Sequence, residues 1–331
     1  MSISITVIGP GNQTKKIVTA LLNHINIRNL LVFRHRAGLE CTWLDETPIP
    51  YETTVNLDAT LETEVVIIGS PNFAHFEYLK FLMDKPFSGY VFCEKPIVDQ
   101  QNQLKYIKES NSELKNRLYI NFNYRFSRYA DTIQNDGKRY GLGRLLHASI
   151  ISGHGLGFRE SYRDSWRSKK KHHLGGVLET VSIHFLDMFY KQYGIPKHYF
   201  VENFNTSPYG DSVDNSCFTC SFDSGFSLNL FTSYTSPFIS EFLFLYENGY
   251  VKFDEGKRVY HPRDIFDEKG LFKTPAIVMS EPISRNQIAQ EATEKSVQHF
   301  IRHVMKRKSF DPEEFSLSLK SNEIMISLCS S

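Results

Sequence analysis

The sequence predicts an α/β protein: an N-terminal doubly wound parallel sheet, then a C-terminal α+β domain with a large, mostly antiparallel open sheet. Three observations predict it. Short β-rich runs alternate with helical patterns over the first 125 residues or so, as βαβ units require. "EVVIIGS" (64–70) is a continuous apolar run, the mark of a strand buried on both faces of a parallel sheet. After residue 140 strand-like runs follow one another with few helices between them.

In order, "SITVIG" (4–9) reads as a strand, and "TKKIVTALLNHI" as a helix with Ile17, Leu21, Leu22 and Ile25 on its apolar side. "NLLVF" (29–33) is the second strand. Strand 64–70, helix "AHFEYLKFLMD", strand "GYVFCE", helix "QNQLKYIKES" and strand "RLYINFN" complete the first domain. In the second, "GRLLHASIIS", "KHYFVENF", "SVDNSCFTCSF", "GFSLNLFTSYT", "SEFLFLYE" and "GYVKFDE" are strands, and "DSG" (223–225) and "ENG" (247–249) join pairs of them as hairpins. Helical patterns occupy 177–193, 288–307 and 312–328. The expected domains are 1–124 and 125–331, with the C-terminal helices packing back on the first.

Bulk properties narrow the function. A chain of 331 residues is long for one core. With 38 Lys and Arg against 37 Asp and Glu, no global field draws nucleic acid or an anionic membrane, and neither is expected as a partner. No apolar stretch approaches the roughly 18 residues of a membrane span. The opening "MSISITVIG" lacks the basic flank of a secretory leader. Five cysteines suggest no disulfide framework, and a reducing cytoplasm is the simplest location. Cys217 and Cys220 lie three apart on a strand and so point to opposite faces. His172 and His173 have no evident carboxylate or thiol cluster, so no metal is expected.

The first strand runs into "GPGNQT", a Rossmann-type turn without its last glycine. Gly9 serves the tight turn and Gly11 the approach of a pyrophosphate, with Asn12 and Gln13 opening the helix. Thr14 holds the third place, which predicts a slightly displaced helix and a hydroxyl turned toward the phosphate. About 20 residues on, where NAD sites place Asp or Glu, the chain reads "VFRHRAG". Arg34 and Arg36 suit a 2′-phosphate, so NADP(H) is expected over NAD(H).

"VVIIGSPNFAHFEYLKFLMDKPFSGYVFCEKPIV" (65–98) resembles the glucose–fructose oxidoreductase, inositol dehydrogenase and MocA (Gfo/Idh/MocA) family of NAD(P)-dependent oxidoreductases. The family's "TPN…H" loop is matched by Ser70, Pro71, Asn72 and His75, and its "EKP" strand end by Glu94, Lys95 and Pro96. "NFNYRFSR" (121–128), "GLGRLLHASI" (141–150), "WR" (166–167) and "GGVLETVSIHFLD" (175–187) continue the likeness in family order.

The resemblance implies hydride exchange between a nicotinamide and a hydroxyl or keto carbon of a sugar, sugar nucleotide or cyclitol. Lys95 and His184 then act as acid and base, over a cofactor held by the turn, the arginines, Ser70 to Asn72, His75 and Glu94. A lysine beside a nicotinamide can bond the reacting oxygen, and a histidine titrates near neutrality. The Lys95–Pro96 bond is often cis in the family. Tyr124, Arg125, Trp166, Arg167 and Thr180 fall where substrate contacts are expected.

Many members carry Asp four residues before the histidine, and here that residue is Thr180, with Glu179 on a neighbouring face. Asp187, one turn after His184, is expected to pair structurally. The basic stretch "RESYRDSWRSKKKHH" (159–173) could grip a carboxylate or a phosphate. A non-catalytic NADP-sensing regulator is the alternative of another class, and reduction of a C=C or C=N bond a third. The open sheet is expected to make a homo-oligomer.

Overall fold

The computed structural model describes residues 2–35, 41–173, 175–262 and 264–329. The chain divides into two compact units, one of Met1–Asn123 with Thr293–Ile326 and one of Tyr124–Ala292 with Ser327–Ser331.

The first unit holds a six-stranded sheet, all of whose neighbours are parallel. Its strands are β1 (Ser2–Ile8), β2 (Asn26–Phe33), β3 (Tyr51–Thr54), β4 (Val65–Ile68), β5 (Tyr90–Glu94) and β6 (Leu118–Asn121), in the order β3-β2-β1-β4-β5-β6. Helices α1 (Asn12–Leu22), α2 (Thr42–Asp45), α3 (His75–Asp84) and α4 (Gln101–Glu109) fall between them. Every residue of β4 and β5 is buried, as strands covered on both faces must be. The order reverses between β1 and β4, and the crevice at such a switch is where open α/β sheets bind ligands.

Two helices close the chain, α8 (Arg285–Lys306) and α9 (Pro312–Cys329). Val297, Phe300, Ile301 and Val304, with Phe310 beyond, enter the same core as Val7, Ile67 and Phe92. Phe300 meets the Phe92 ring edge-on at 5.2 Å.

The second unit holds an eight-stranded sheet in the order β14-β13-β12-β11-β7-β10-β9-β8. These are β7 (Leu145–Gly153), β8 (His198–Phe204), β9 (Asn215–Ser221), β10 (Ser227–Ser233), β11 (Ile239–Tyr246), β12 (Gly249–Phe253), β13 (Lys257–His261) and β14 (Ala276–Glu281). All pairs are antiparallel except β7 with β10. The two turns read from the sequence join β9 to β10 and β11 to β12.

One face of this sheet is covered. Ala148, Ile150, Phe218, Leu228, Leu230, Phe242, Phe244 and Val251 are buried, and helix α7 (Ile183–Tyr193) lies on them. Phe185 packs on Phe242 at 5.4 Å and Phe189 on Phe226 at 5.4 Å. The sequence pattern missed β3, β13 and β14. It also missed the wider π-turn, Leu178–Ser182, that precedes α7. Short helices α5 (Arg128–Asp131) and α6 (Gly137–Arg139) flank a second π-turn, Thr132–Asp136.

Candidate active site

The loop from β1 to α1 is shaped by backbone contact. Gly9 sits at φ +80°, and a Cβ there would lie 2.4 Å from the Ser70 backbone, so only glycine fits. A Cβ on Gly11 would meet nothing within 4 Å, which leaves open space at the start of α1. Gly11 caps α1 without a side-chain acceptor, and the first turn carries no acid. Its leading N–H groups, those of Asn12 and Gln13 among them, therefore remain suited to an anion.

Thr14 does not behave as the sequence suggested. It is fully buried, and its hydroxyl donates to the Gly9 carbonyl at 2.6 Å instead of facing a phosphate. Room for it comes from Gly69, where a Cβ would stand 2.2 Å from Thr14 Oγ1. The space a third glycine would leave in α1 is thus supplied by the residue that follows β4. The Pro10 carbonyl of this loop accepts from Trp43 Nε1 at 2.9 Å and from Cys41 Sγ at 3.1 Å, two anchors no motif announced.

Around this turn, polar atoms are buried without a partner among the described residues: Arg34 Nε, Ser70 Oγ and Asn72 Nδ2. They stand just beyond the C-terminal ends of β2 and β4. Such unmade bonds are costly unless a ligand makes them, so these residues fit a dinucleotide. The Arg34 N–H donates to the Thr54 carbonyl at 2.9 Å, fixing the end of β2. Arg36 lies outside the described residues. Pro71 leads into the 3-10 turn Asn72–Ala74.

Lys95 follows β5 and is 7% exposed, and the Lys95–Pro96 peptide is cis. The chain on either side is held. His75 is fully buried with Nδ1 2.7 Å from the Pro96 carbonyl and Nε2 2.7 Å from the Ser70 carbonyl, which ties the loop after β4 to the loop after β5. Burial holds the imidazole below its ordinary pKa. Asn322 of α9 accepts from the Ile97 N–H at 3.0 Å and donates to the Val98 carbonyl at 2.7 Å.

Glu94 is buried and accepts from Asn121 Nδ2 at 2.7 Å and from Gln13 Nε2 at 3.2 Å. Ser296 bonds the far side of Asn121 at 2.7 Å and Tyr119 at 2.7 Å. Burial pushes the Glu94 carboxyl above the usual range, against the pull of Asn121, the Lys95 charge and Gln13.

In the second unit, the π-turn and α7 present Thr180 and His184. Thr180 Oγ1 donates to the Gly176 carbonyl at 3.1 Å and shares a short hydrogen bond with the Tyr234 hydroxyl. The Tyr124 ring stacks on His184, centroids 4.8 Å apart and planes 28° from parallel. Arg125 is not open to a ligand: it forks onto Asp187, with both bonds at 2.7 Å and the side chains 1% and 0% exposed. Asp187 is therefore the buried partner expected of it. Arg167 lays its guanidinium over Trp166 at 4.4 Å. His173 has one carboxylate beside it: its Nε2 lies 3.4 Å from Glu179 Oε2, both buried, while Glu179 Oε1 accepts from the Gly175 N–H at 2.7 Å. Among the described residues no group of three or more His, Cys, Asp or Glu is placed to hold a metal ion.

A parallel sheet in this strand order, with a glycine turn at its switch point and unmade polar bonds around it, defines a dinucleotide-binding domain of the Rossmann class. Residues 3–122 match the family model GFO_IDH_MocA, described as oxidoreductase family, NAD-binding Rossmann fold. A curated relative, glucose-6-phosphate 3-dehydrogenase of Bacillus subtilis (strain 168), is 28% identical over 137 residues, a match spanning 40% of this chain and 38% of that protein. Among solved structures, levoglucosan dehydrogenase in complex with NADH and levoglucosan is similar with a TM-score of 0.78 at 16% identity, covering 100% of this chain and 96% of that one. UDP-N-acetylglucosamine 3-dehydrogenase from Acidithiobacillus ferrooxidans gives 0.72 at 14% identity, covering 100% and 97%. At these identities the likeness is one of fold, and it extends over both units.

Proposed function

We propose that the protein is an NADP(H)-dependent oxidoreductase acting on a hydroxyl or keto carbon of a sugar, sugar nucleotide or cyclitol. The observation that carries this reading is Lys95, buried at the end of β5 between the His75 and Asn322 anchors, in a domain whose glycine turn and unmade polar bonds suit a dinucleotide. The names of the relatives, dehydrogenases of sugars and sugar derivatives, support the substrate class.

A nicotinamide held in this cradle would supply or take the hydride at the reacting carbon. Lys95 Nζ bonds the oxygen on that carbon, and Lys95 and His184 take up its proton on oxidation or return it on reduction. The His75 and Asn322 anchors limit the paths Lys95 can follow, and Tyr124 holds the His184 ring by stacking. Arg34, with Arg36, selects the 2′-phosphate over a bare ribose hydroxyl. Gly9, Gly11, Asn12, Gln13, Ser70, Pro71, Asn72, His75 and Glu94 form or brace the cofactor cradle. Tyr124, Trp166, Arg167 and Thr180 serve the substrate, and Arg125 serves it by holding α7 through Asp187.

The test is titration with NADPH and NADH, then turnover on a panel of sugars and sugar nucleotides. Lys95→Ala should abolish hydride transfer and leave NADPH affinity within about twofold. Arg34→Asp should weaken NADPH tenfold or more, the scale of one charge-assisted bidentate contact; unchanged affinity defeats the NADP assignment.

One observation favours a regulator that binds the cofactor without turnover: Thr180, which replaces a carboxylate, is committed to Gly176 and Tyr234. Tight NADPH binding with no turnover on any panel member establishes that reading instead. We also assign a self-association role to the open face of the large sheet, where a groove of about 440 Å³ is lined by Ile151, Leu243, Leu245 and Tyr250. Sedimentation showing a monomer at micromolar concentration rejects it. A cytoplasmic location is assigned on composition, since five cysteines in 331 residues suggest no disulfide framework.

A further inference from the structure

We propose that Arg167 and Arg285 form an oxyanion subsite, so that the substrate is a sugar derivative carrying a phosphate or carboxylate group. The inference rests on the reading of the second unit as the substrate domain and specifies what that domain selects.

Among the described arginines of the second unit that are not exposed, these two alone have no carboxylate counter-ion. Arg125 pairs with Asp187, Arg128 with Glu281 and Glu291, Arg139 with Asp131 and Asp136, Arg258 with Asp254. Arg167 and Arg285 are both half-buried, yet among the described residues neither has a carboxylate within 4.0 Å. Partial burial of an unpaired charge costs free energy that a visiting anion returns.

Both side chains are aimed by aromatic groups. Arg167 is braced over Trp166 and reaches the Tyr234 hydroxyl, which in turn meets Thr180. Arg285, the first residue of α8, lies 5.9 Å from the Phe238 ring and reaches the Tyr124 hydroxyl, whose ring stacks on His184. Thr180 and His184 are four residues apart, so the two arginines reach, through Tyr234 and Tyr124, side chains of neighbouring turns of one helical segment.

His154, 5.1 Å ring to ring from Tyr234, is the third member. Burial first, and then the charges of Arg285, Arg167 and Arg159, hold its imidazole below the ordinary value. The acid that does act on Tyr234 is Glu179, already bound to the Gly175 N–H and facing His173. The site is therefore locally positive and offers planar donors that match a phosphate or carboxylate.

The test uses the full chain with saturating NADPH and calorimetry against glucose, glucose 6-phosphate and glucuronate, with inorganic phosphate as a sugar-free probe read by thermal shift. At least one anionic sugar should bind about tenfold or more tighter than glucose. Arg167→Gln and Arg285→Gln should each erase that preference and the phosphate shift, while Arg167→Lys and Arg285→Lys keep part of both. The Lys forms also control for loss of fold, since a misfolded site would fail with Lys as well. Preference for glucose 6-phosphate or for glucuronate identifies which oxyanion the fork takes. Equal binding of the three sugars, an anionic preference that survives both Gln variants, or no response to phosphate and either anionic sugar overturns the subsite. Anionic preference without hydride transfer would keep the subsite and reject the dehydrogenase; turnover of neutral sugars with no such preference does the reverse.

Discussion

Each unit buries a carboxylate next to residues of the proposed chemistry, and the two are held in opposite ways. Glu94 in the first unit is surrounded by amides, Asn121 and Gln13, and burial leaves it readier to accept a proton than an ordinary glutamate. Asp187 in the second is clamped by a guanidinium through two 2.7 Å bonds. A region that receives a dinucleotide gains by keeping its own negative charge soft, because a full carboxylate would repel the phosphates. A helix that must hold one histidine ring in place gains from a rigid fork.

The strongest way to break the contrast is Asp187→Ala. It strands the Arg125 charge in a site with 1% exposure and should cost about 3–5 kcal/mol in urea unfolding. Arg125→Met with Asp187→Leu should recover most of that loss, since buried pairs are often replaceable by apolar groups.

Next in size is Gly69→Ala. Its methyl group would collide with Thr14 Oγ1, for a loss of about 1–3 kcal/mol. Adding Thr14→Ala should cost less than the two changes do singly, by about 1 kcal/mol of coupling in a double-mutant cycle. Strict additivity would mean that Gly69 does not make the room for Thr14.

Glu94→Gln is the smallest, within about 1 kcal/mol, and its information is in the pH dependence. Because the folded carboxyl is raised above its ordinary 4.5, the native state holds its proton longer than the unfolded chain. Wild type therefore loses stability relative to Glu94→Gln as pH climbs from about 4.5 through the folded value, and the difference is constant above and below that window. Thermal unfolding at several pH values reads this directly; wild type gaining stability relative to Glu94→Gln as pH rises contradicts the softened carboxylate.

The βαβ rhythm of β1, β2, β4, β5 and β6 was legible because their apolar runs are continuous and separated by helix periodicity. The hairpins were legible from their turn residues. By contrast, β3 escaped notice because Tyr51 to Thr54 carry no buried side chain to mark a strand, and β14 likewise shows mostly exposed residues. At the candidate site, sequence placed the glycine turn, Lys95 and His184 at element ends. It could not find Gly69, whose role depends on a hydroxyl 55 positions earlier in the chain. Nor could it find His154, Tyr234 and Arg285, which come from three separate segments and form no motif. The meeting of His173 with Glu179 gave no sequence signal, because neither helix nor strand periodicity brings residues six apart together.

The place of β7 in the large sheet bears on how the chain assembles. Strands β8 to β10 form one local meander and β11 to β14 another, and β7 lies between β10 and β11. Yet β7 leaves the ribosome before either meander exists. Its two edges stay unpaired until Ser227 to Tyr246 have been made, and each closure spans a long loop. Pairing β7 on both sides therefore requires the two longest loop closures in this sheet, and until they are made its edges are open to other strands.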